Sequence, residues 1–185
     1  CYLRDVSSAA YWSSAHHPAR RTLKSYEAIF SDARAEFRTR TPDFDTHTEI
    51  AVSPEDDVEL RRLRVTNRSR SRSRRTIEIT TYAEVVLAPA LADAMHPAFS
   101  KLFVQTELVR PLQAIVCTRR ARSSAEAVPW MCHLLAVHDA HIDEISYETD
   151  RARFIGRGRS TSDPQAMDSI SQRPRNLSNS AGSVL

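Results

Sequence analysis

The stretch Arg75-Thr-Ile-Glu-Ile-Thr-Thr-Tyr-Ala-Glu-Val-Val-Leu87 decides the fold class of this chain. Its residues form two sets of opposite parity, namely Ile77, Ile79, Thr81, Ala83, Val85 and Leu87 on one side and Thr76, Glu78, Thr80, Tyr82 and Glu84 on the other. A backbone of period two sends these sets to opposite faces of a sheet. The pattern predicts a half-buried strand of about a dozen residues and a protein of the β class.

Shorter alternating runs recur on both sides of this strand, at intervals of about 10–15 residues. The candidate strands are Tyr2–Asp5, 26–30, 33–38, Thr46–Val52, 58–65, Lys101–Val109, Gln113–Thr118, Trp130–His138 and Ile145–Thr149, with an aromatic turn at Tyr11–Ser13. A short helix near Ala88–Ala94 is the one helical segment we expect, so the prediction is an all-β, antiparallel sandwich. Between Val58 and Val65 the apolar parity shifts by one residue, which predicts a β-bulge or a bend.

The length of 185 residues fits one domain with a sizeable core. We place a partial β-sandwich in residues 1–166 and interpret 167–185 as a loop or as a truncated continuation of that sandwich. The chain begins with Cys1, in sequence that already has a strand pattern, so we expect a fragment of a longer protein. An incomplete sandwich leaves unpaired edges, which predicts poor solubility in isolation.

Charge and cysteine usage narrow the class of protein. The 26 basic and 23 acidic residues leave a net charge of +3, which is weak support for nucleic-acid binding. Three cysteines without CxxC spacing, Cys1, Cys117 and Cys132, argue against a disulfide framework or a cysteine metal site and fit a reducing compartment. No apolar run approaches the roughly 18 residues of a membrane span.

An arginine-serine run, Asn67-Arg-Ser-Arg-Ser-Arg-Ser-Arg-Arg75, is the loudest local signal. One interpretation is a miniature Arg-Ser tract that contacts RNA or protein. The other is an exposed hairpin loop, because the run holds only three Arg-Ser dipeptides and lies between two strong strands. We favour the loop.

Other polar clusters are interpreted as loops or turns. His138 and His141, followed by Asp143 and Glu144, have poor spacing for a metal site on a strand or turn, and no metal is expected. The acidic groups at 43–45 and 55–57 lie in turn-forming stretches, and nothing identifies two of them as a catalytic pair. The segment 156–159, Gly-Arg-Gly-Arg, lacks the strand-to-helix context of a phosphate loop and predicts a turn at the end of a sheet.

A larger resemblance rests on the order and spacing of segments along nearly the whole chain. They are Tyr2–Asp5 with Tyr11–Ser13, Tyr26-Glu-Ala-Ile-Phe30, Thr46–Arg62, Val65-Thr-Asn-Arg-Ser69, Arg75–Leu87, His96–Glu107, Glu148–Arg159 and Leu177–Leu185. Together these segments resemble the N-terminal β-sandwich of glycoside hydrolase family 94, in the version found in cyclic β-1,2-glucan synthases. No single motif is decisive, and the set as a whole carries the resemblance.

The resemblance implies an antiparallel supersandwich, similar to galactose-mutarotase-like domains and incomplete here. In the family this sandwich is joined by a helical linker to an (α/α)6 barrel. The barrel carries the aspartate that acts as general acid, and inorganic phosphate attacks the anomeric carbon with inversion. We therefore expect a non-catalytic carbohydrate-binding scaffold without a cofactor of its own. Its parent would be a cyclic β-1,2-glucan synthase or a related β-glucan phosphorylase.

The resemblance also points to sites and partners. It assigns sugar contact to the loop His96-Pro-Ala-Phe-Ser-Lys101, where Phe99 could stack on a pyranose and Lys101 could donate hydrogen bonds to hydroxyls. His96 and Trp12 are further candidates, and the alternative is that Phe99 is core and Lys101 an edge charge. Expected partners are a β-glucan or oligosaccharide and the barrel of the parent, with a homodimer also open. Nucleic acid is not expected, and the location is cytoplasmic, at the inner membrane through spans elsewhere in the parent.

Two other functions stay open. A stand-alone mutarotase-like sugar enzyme would need a histidine and a carboxylate on one concave sheet, and His47 and His133 are the candidates. An interaction module for nucleic acid or protein would act through Arg68–Arg75 and would bind in a salt-dependent manner.

Overall fold

The computed structural model describes residues 1–70, 73–121, 123–124 and 126–168. In these ranges the strands are β1 Tyr2–Asp5, β2 Tyr11–Ser13, β3 Ser25–Ser31, β4 Arg34–Arg40, β5 Phe44–Val52, β6 Glu59–Asn67, β7 Ile77–Thr80, β8 Val104–Val109, β9 Ala114–Arg119 and β10 Trp130–Leu134. The helices are α1 Ala90–Met95, α2 Pro97–Leu102 and α3 Arg151–Ile155. The paired strands of each sheet are antiparallel. The all-β, antiparallel prediction is confirmed. Among the described residues, none of the helices has the length and apolarity that crossing a membrane requires.

Contacts between residues divide the chain into two compact units. Unit 1 comprises Cys1–Thr81 and Thr161–Asp163, and unit 2 comprises Tyr82–Ser160 and Pro164–Leu185. The proposed boundary of the sandwich at residue 166 stays a prediction. Residues 169–185, most of the segment interpreted as a loop or continuation, lie outside the described residues.

Unit 1 contains a three-stranded sheet of order β2-β1-β7 and a four-stranded sheet of order β3-β4-β5-β6. Their apolar faces meet in one core, built from Leu3, Trp12 and Phe44 with Leu23, Leu63, Val65 and Ile77 packed against it. The period of two in β5 explains this arrangement, because it buries Phe44, Thr46 and Thr48 and sends the residues between them to the opposite face. Unit 1 is therefore a two-layer sandwich.

Two ion pairs join β1 to β7 and to the residues just before it, inside unit 1. Arg4 is buried and donates from Nε (2.9 Å) and from a terminal nitrogen (2.5 Å) to Glu78 Oε2, its cross-strand neighbour. Asp5 is also buried and pairs with Arg75. Burial alone would raise the pKa of Asp5, but hydrogen bonds from Arg75, Ser8 and Ser7 outweigh it and hold that pKa well below its ordinary value.

Unit 2 contains a three-stranded sheet of order β10-β9-β8. Its core comprises Val85, Leu87, Val104, Ile115 and Cys117, with Leu108, Met131 and Tyr147 packed against it. Val85 and Leu87 come from the stretch that decided the fold class, so the apolar parity of that stretch supplies the core of this unit.

The long strand predicted over Arg75–Leu87 is mostly wrong as secondary structure. Regular pairing covers only Ile77–Thr80, and this strand lies at an edge of its sheet among the described residues. The alternation persists beyond the strand, because Val85 and Leu87 are buried while Val86 between them is exposed. Parity thus predicted which side chains are buried, whereas it could not show where a neighbouring strand ends.

Several smaller predictions also change. The β-bulge is wrong, since β5 and β6 pair without interruption from Phe44 opposite Asn67 to Val52 opposite Glu59. The parity shift arises because Leu60 is 67% exposed and is simply an apolar residue on the outer face. Tyr11–Ser13 is a strand rather than a turn, Trp130–His138 shortens to β10, and Ile145–Thr149 forms no strand.

The buried pair between Arg4 and Glu78 gives a stability prediction. We expect Glu78→Gln to lower the free energy of unfolding by on the order of 3 kcal/mol, because it removes a negative charge that directly contacts the buried Arg4 guanidinium. Urea unfolding measures the change. The control is Glu59→Gln, which removes the partner of exposed Arg61 and should change stability little. Equal, small effects of both changes would contradict the importance of the buried pair.

Candidate functional site

The segment His96–Lys101, predicted as a loop, is mostly helical. Pro97 is the first residue of α2, where its fixed φ suits a helix and its missing N–H costs no hydrogen bond. The amides of Phe99 and Ser100 both donate to the His96 carbonyl at 3.1 Å. The segment is therefore held as a single helical turn directly after α1, rather than as an irregular loop.

An apolar ridge follows the outer side of these two helices. We use this name for Leu91, Met95, Phe99 and Leu102, whose side chains are all exposed. The Phe99 ring is 51% exposed and meets Phe103 edge-on, with centroids 5.0 Å apart. A shallow depression beside the ridge is also lined by Pro89 and Ala92. Phe99 thus presents part of its ring to solvent beside other apolar side chains.

Lys101 lies at the last turn of α2 and is ion-paired. Its Nζ donates to Glu84 Oε2 at 2.6 Å, and Arg151 Nε of α3 donates to Glu84 Oε1 at 2.6 Å. The Tyr82 hydroxyl also donates to Glu84 Oε1. Tyr82 in turn stacks on Phe154 with centroids 4.9 Å apart. One carboxylate therefore connects the segment before α1 to both α2 and α3.

The pKa of Glu84 reflects this environment. Partial burial would raise it, but hydrogen bonds from Lys101, Tyr82 and Arg151 outweigh burial and lower the pKa from 4.5 to about 2. The carboxylate is therefore ionised throughout the physiological range and serves as an acceptor.

The other two predicted site residues have different surroundings. His96 is exposed and lies between α1 and α2, next to the apolar ridge. Trp12 belongs to unit 1 and is only 4% exposed, stacked on Phe44 at 5.4 Å with its indole N–H donating to Thr46 Oγ1 at 3.2 Å. Burial leaves the Trp12 ring no exposed face for a ligand. Phe99, Lys101 and His96 all lie in α2 or directly before it.

A second polar site lies on the outer face of the four-stranded sheet of unit 1. This charged face consists of Glu27, Arg34, Glu36, Arg38, Arg40, Asp45, His47, Glu49, Arg62 and Arg64. Most of its charges pair with neighbours, as in Arg40 with Asp45 at 2.7 Å and Arg34 with Glu49 at 3.1 Å. A shallow polar depression lies around His47.

At the centre of the charged face, His47 Nε2 lies 2.9 Å from Glu36 Oε2. The mutarotase-like alternative required a histidine and a carboxylate on one concave sheet, and this pair brings the two side chains together on one face of the four-stranded sheet. Arg34 and Arg38 also contact Glu36, at 2.8 and 3.2 Å. The pKa of Glu36 is lowered, chiefly by its hydrogen bond with His47 and further by the two arginines. The other candidate, His133, lies on β10 in unit 2.

The arginine-serine run links β6 of one sheet to β7 of the other, so it is not a hairpin loop. Arg68 pairs with Asp45 at 2.9 Å and Arg75 pairs with Asp5, while residues 71 and 72 lie outside the described ranges. Arg68 and Arg75 are therefore engaged within unit 1. That the run does not bind nucleic acid stays a prediction.

The remaining polar clusters are the histidine-acid group near residue 140 and the glycine-arginine segment after α3. No group of three or more potential metal-binding side chains occurs there. His141 and Asp143 form only an exposed pair at 3.4 Å. Gly156 and Gly158 have φ angles of +86° and +73°, which confirms a turn here. The turn follows helix α3 directly, so its predicted place at the end of a sheet is wrong.

Sequence reasoning missed Glu84, Arg151 and Glu36. Glu84 belongs to the polar set of its segment. This pattern predicts which face its side chain occupies, but it does not predict which residues the side chain contacts. The two cations that bind it lie 17 and 67 positions away, and no local pattern reports such contacts.

Comparison with known proteins confirms the family resemblance that was noted in the sequence. The family described as glycosyl hydrolase 94, supersandwich domain, matches residues 1–185. The cyclic beta-(1,2)-glucan synthase NdvB of Rhizobium meliloti (strain 1021) is 35% identical over 167 residues, which is 90% of this chain. The chain spans 6% of the length of that relative.

The low pKa of Glu84 predicts a pH-dependent contribution to stability. A lowered folded-state pKa contributes stability above the unfolded value of 4.5, and this is lost as the pH falls toward about 2. The difference in unfolding free energy between wild type and Glu84→Gln should therefore be largest near pH 6 and shrink below pH 4.5. Urea unfolding at several pH values measures it. Lys101→Met, which removes one donor, should reduce this dependence, and a constant difference from pH 6 to 3 would contradict it.

Proposed function

Because this chain belongs to the glycosyl hydrolase 94 supersandwich-domain family, we propose that it is the sugar-contacting scaffold of a cyclic β-1,2-glucan synthase or a related β-glucan phosphorylase. The match over residues 1–185 carries this proposal. The similarity to a cyclic glucan synthase supports β-1,2-linked glucose as the first ligand to test.

The α2 region has the features that sugar contact requires. A pyranose has an apolar face and a rim of hydroxyls, so it is bound by an exposed ring together with hydrogen-bond donors. Phe99 supplies a half-exposed ring, and the Lys101 ammonium, which has three N–H donors, gives one to Glu84. His96 adds an exposed imidazole between the two helices.

The ionisation of the described carboxylates supports a scaffold rather than a catalyst. A glycosidic general acid must keep its proton near neutral pH, which requires a raised pKa. Where a carboxyl pKa departs clearly from its ordinary value in the described residues, it is lowered, as for Asp5, Glu36, Asp45, Glu49 and Glu84. In the proposal, the general acid and the phosphate-binding groups therefore belong to the (α/α)6 barrel of the parent.

The same proposal includes the partners and the location. The sandwich packs on the barrel of its parent and contributes to dimer contacts, while inorganic phosphate is handled by the barrel. The parent lies at the cytoplasmic side of the inner membrane. These statements rest on the family resemblance and on the similarity to a glucan synthase.

Replacing Phe99 tests the sugar contact directly. We expect Phe99→Ala to weaken binding of a linear β-1,2-linked glucotriose by about fivefold, because it removes a stacking surface. NMR titration of the full chain measures the affinity. The matched control is Phe30→Ala, which removes a phenyl ring that is 73% exposed in unit 1. Equal affinities of wild type and Phe99→Ala, or no binding by wild type, would contradict the proposal.

The contact between His47 and Glu36 favours one second candidate, a mutarotase-like sugar enzyme. Interconversion of anomers needs an acid and a base on opposite sides of the reacting sugar atoms. Glu36 is a weak base in this setting, because three cationic or hydrogen-bonding neighbours stabilise its ionised form. This is why we place the candidate second.

Polarimetry of freshly dissolved α-glucose decides between the two functions. The scaffold proposal expects wild type to leave the rate of anomer interconversion at its uncatalysed value. A rate enhancement by wild type that disappears in His47→Gln, and persists in His133→Gln, would establish the enzyme instead.

A further inference from the structure

We propose that Glu84 is a positioning residue that fixes the Lys101 ammonium and, by offsetting positive charge around it, makes the α2 site select uncharged, hydroxyl-bearing ligands over anionic ones. This inference rests on the proposed sugar contact. It adds a specificity-determining residue that lies outside the segment His96–Lys101 and outside every predicted site.

The contacts of Glu84 use both of its oxygens. Oε2 accepts from Lys101 Nζ at 2.6 Å, and Oε1 accepts from Arg151 Nε at 2.6 Å and from the Tyr82 hydroxyl. Its side chain is 29% exposed, so the carboxylate lies beneath the two cations rather than in bulk solvent. Tyr82 precedes it by two residues and is stacked on Phe154, which fixes the segment that carries the carboxylate.

Positioning follows from the nature of the lysine side chain. An ammonium on a flexible four-carbon stem samples many positions unless a partner holds it. The short contact with Glu84 holds Nζ at the end of α2, two residues after Phe99. The two N–H donors that Glu84 does not use remain for ligand hydroxyls at a defined place beside the ring.

Charge selection follows from the same contact. Lys101 and Arg151 bring two positive charges to one place, and Glu84 offsets one of them. With Glu84 present, the negative charge of its carboxylate repels an anionic ligand from the remaining donors of Lys101. Without it, two neighbouring cations would attract an anion at low salt. A neutral polyol needs only the positioned N–H donors of Lys101, and its affinity does not rise when the net positive charge around them increases.

A purely structural role for Glu84 makes a different prediction. If Glu84 only holds α2 and α3 together, its loss should weaken neutral and anionic ligands by the same factor. A change in their ratio is therefore the informative measurement. Because Glu84 acts through Lys101 in our proposal, its effect on neutral ligands should vanish once Lys101 is replaced.

The experiment measures affinities of the full chain for two probes. These are the β-1,2-linked glucose disaccharide and its analogue ending in glucuronate. We expect Glu84→Gln to weaken the neutral probe about fivefold and to strengthen the anionic probe at low salt. Lys101→Met should weaken the neutral probe similarly, and the double variant should be no weaker than Lys101→Met alone. Glu107→Gln, at an exposed position of β8, is the matched control and should change neither affinity.

Each outcome decides the proposal. An unchanged ratio of the two affinities in Glu84→Gln, or additive losses in the double variant, would overturn it while Phe99→Ala could still support the sugar contact. No binding of either probe by wild type would overturn the sugar contact and this inference together. If Glu84→Gln does not fold, Glu84→Asp replaces it. That variant keeps the charge but shortens the side chain, so it should weaken the neutral probe and leave the anionic probe weak.

Discussion

Two carboxylates on one polypeptide segment, Glu78 and Glu84, organise the contacts within each unit of this protein. Glu78 receives the buried Arg4 side chain from the neighbouring strand β1. Glu84 receives Lys101 and Arg151 from two separate helices. Both carboxylates stand on the even-numbered, polar parity of the stretch, while Ile77, Val85 and Leu87 of the odd-numbered set belong to the cores of the two units. The positions of both ion-pairing carboxylates therefore follow from the period of two in this stretch.

Much of the fold was predictable because burial follows local alternation. The hairpin of β3 and β4 and the strands β5 and β9 lie where apolar and polar residues alternate cleanly. The helix before His96 was also expected from its sequence. What alternation could not show is whether a partner strand is present. Ile145–Thr149 has a strand-like pattern without a neighbour, and the stretch 75–87 pairs over only four of its residues.

The candidate site was predictable only in part, for a different reason. Phe99 and Lys101 came from a family resemblance, and the structure adds the surroundings that such a resemblance lacks. Trp12 is an aromatic residue of the kind that stacks on sugars, but its ring is buried in the core against Phe44. Glu84 carried no sequence signal for its role, because its partners are distant in the chain. Pairs of side chains that are far apart in the chain leave no pattern in the local sequence, so only the three-dimensional structure reveals them.

The alternation between Thr80 and Leu87 has a consequence for the kinds of change this segment can accept. Within unit 2, Val85 and Leu87 are buried while Glu84, which precedes them, contacts two cations, so successive side chains serve the core and the ion pairs in turn. Inserting one residue between Glu84 and Val85 would exchange the two sides, so that either the carboxylate or the two core residues would lose their partners. This segment should therefore tolerate substitutions more readily than a change in the number of residues between Glu84 and the core.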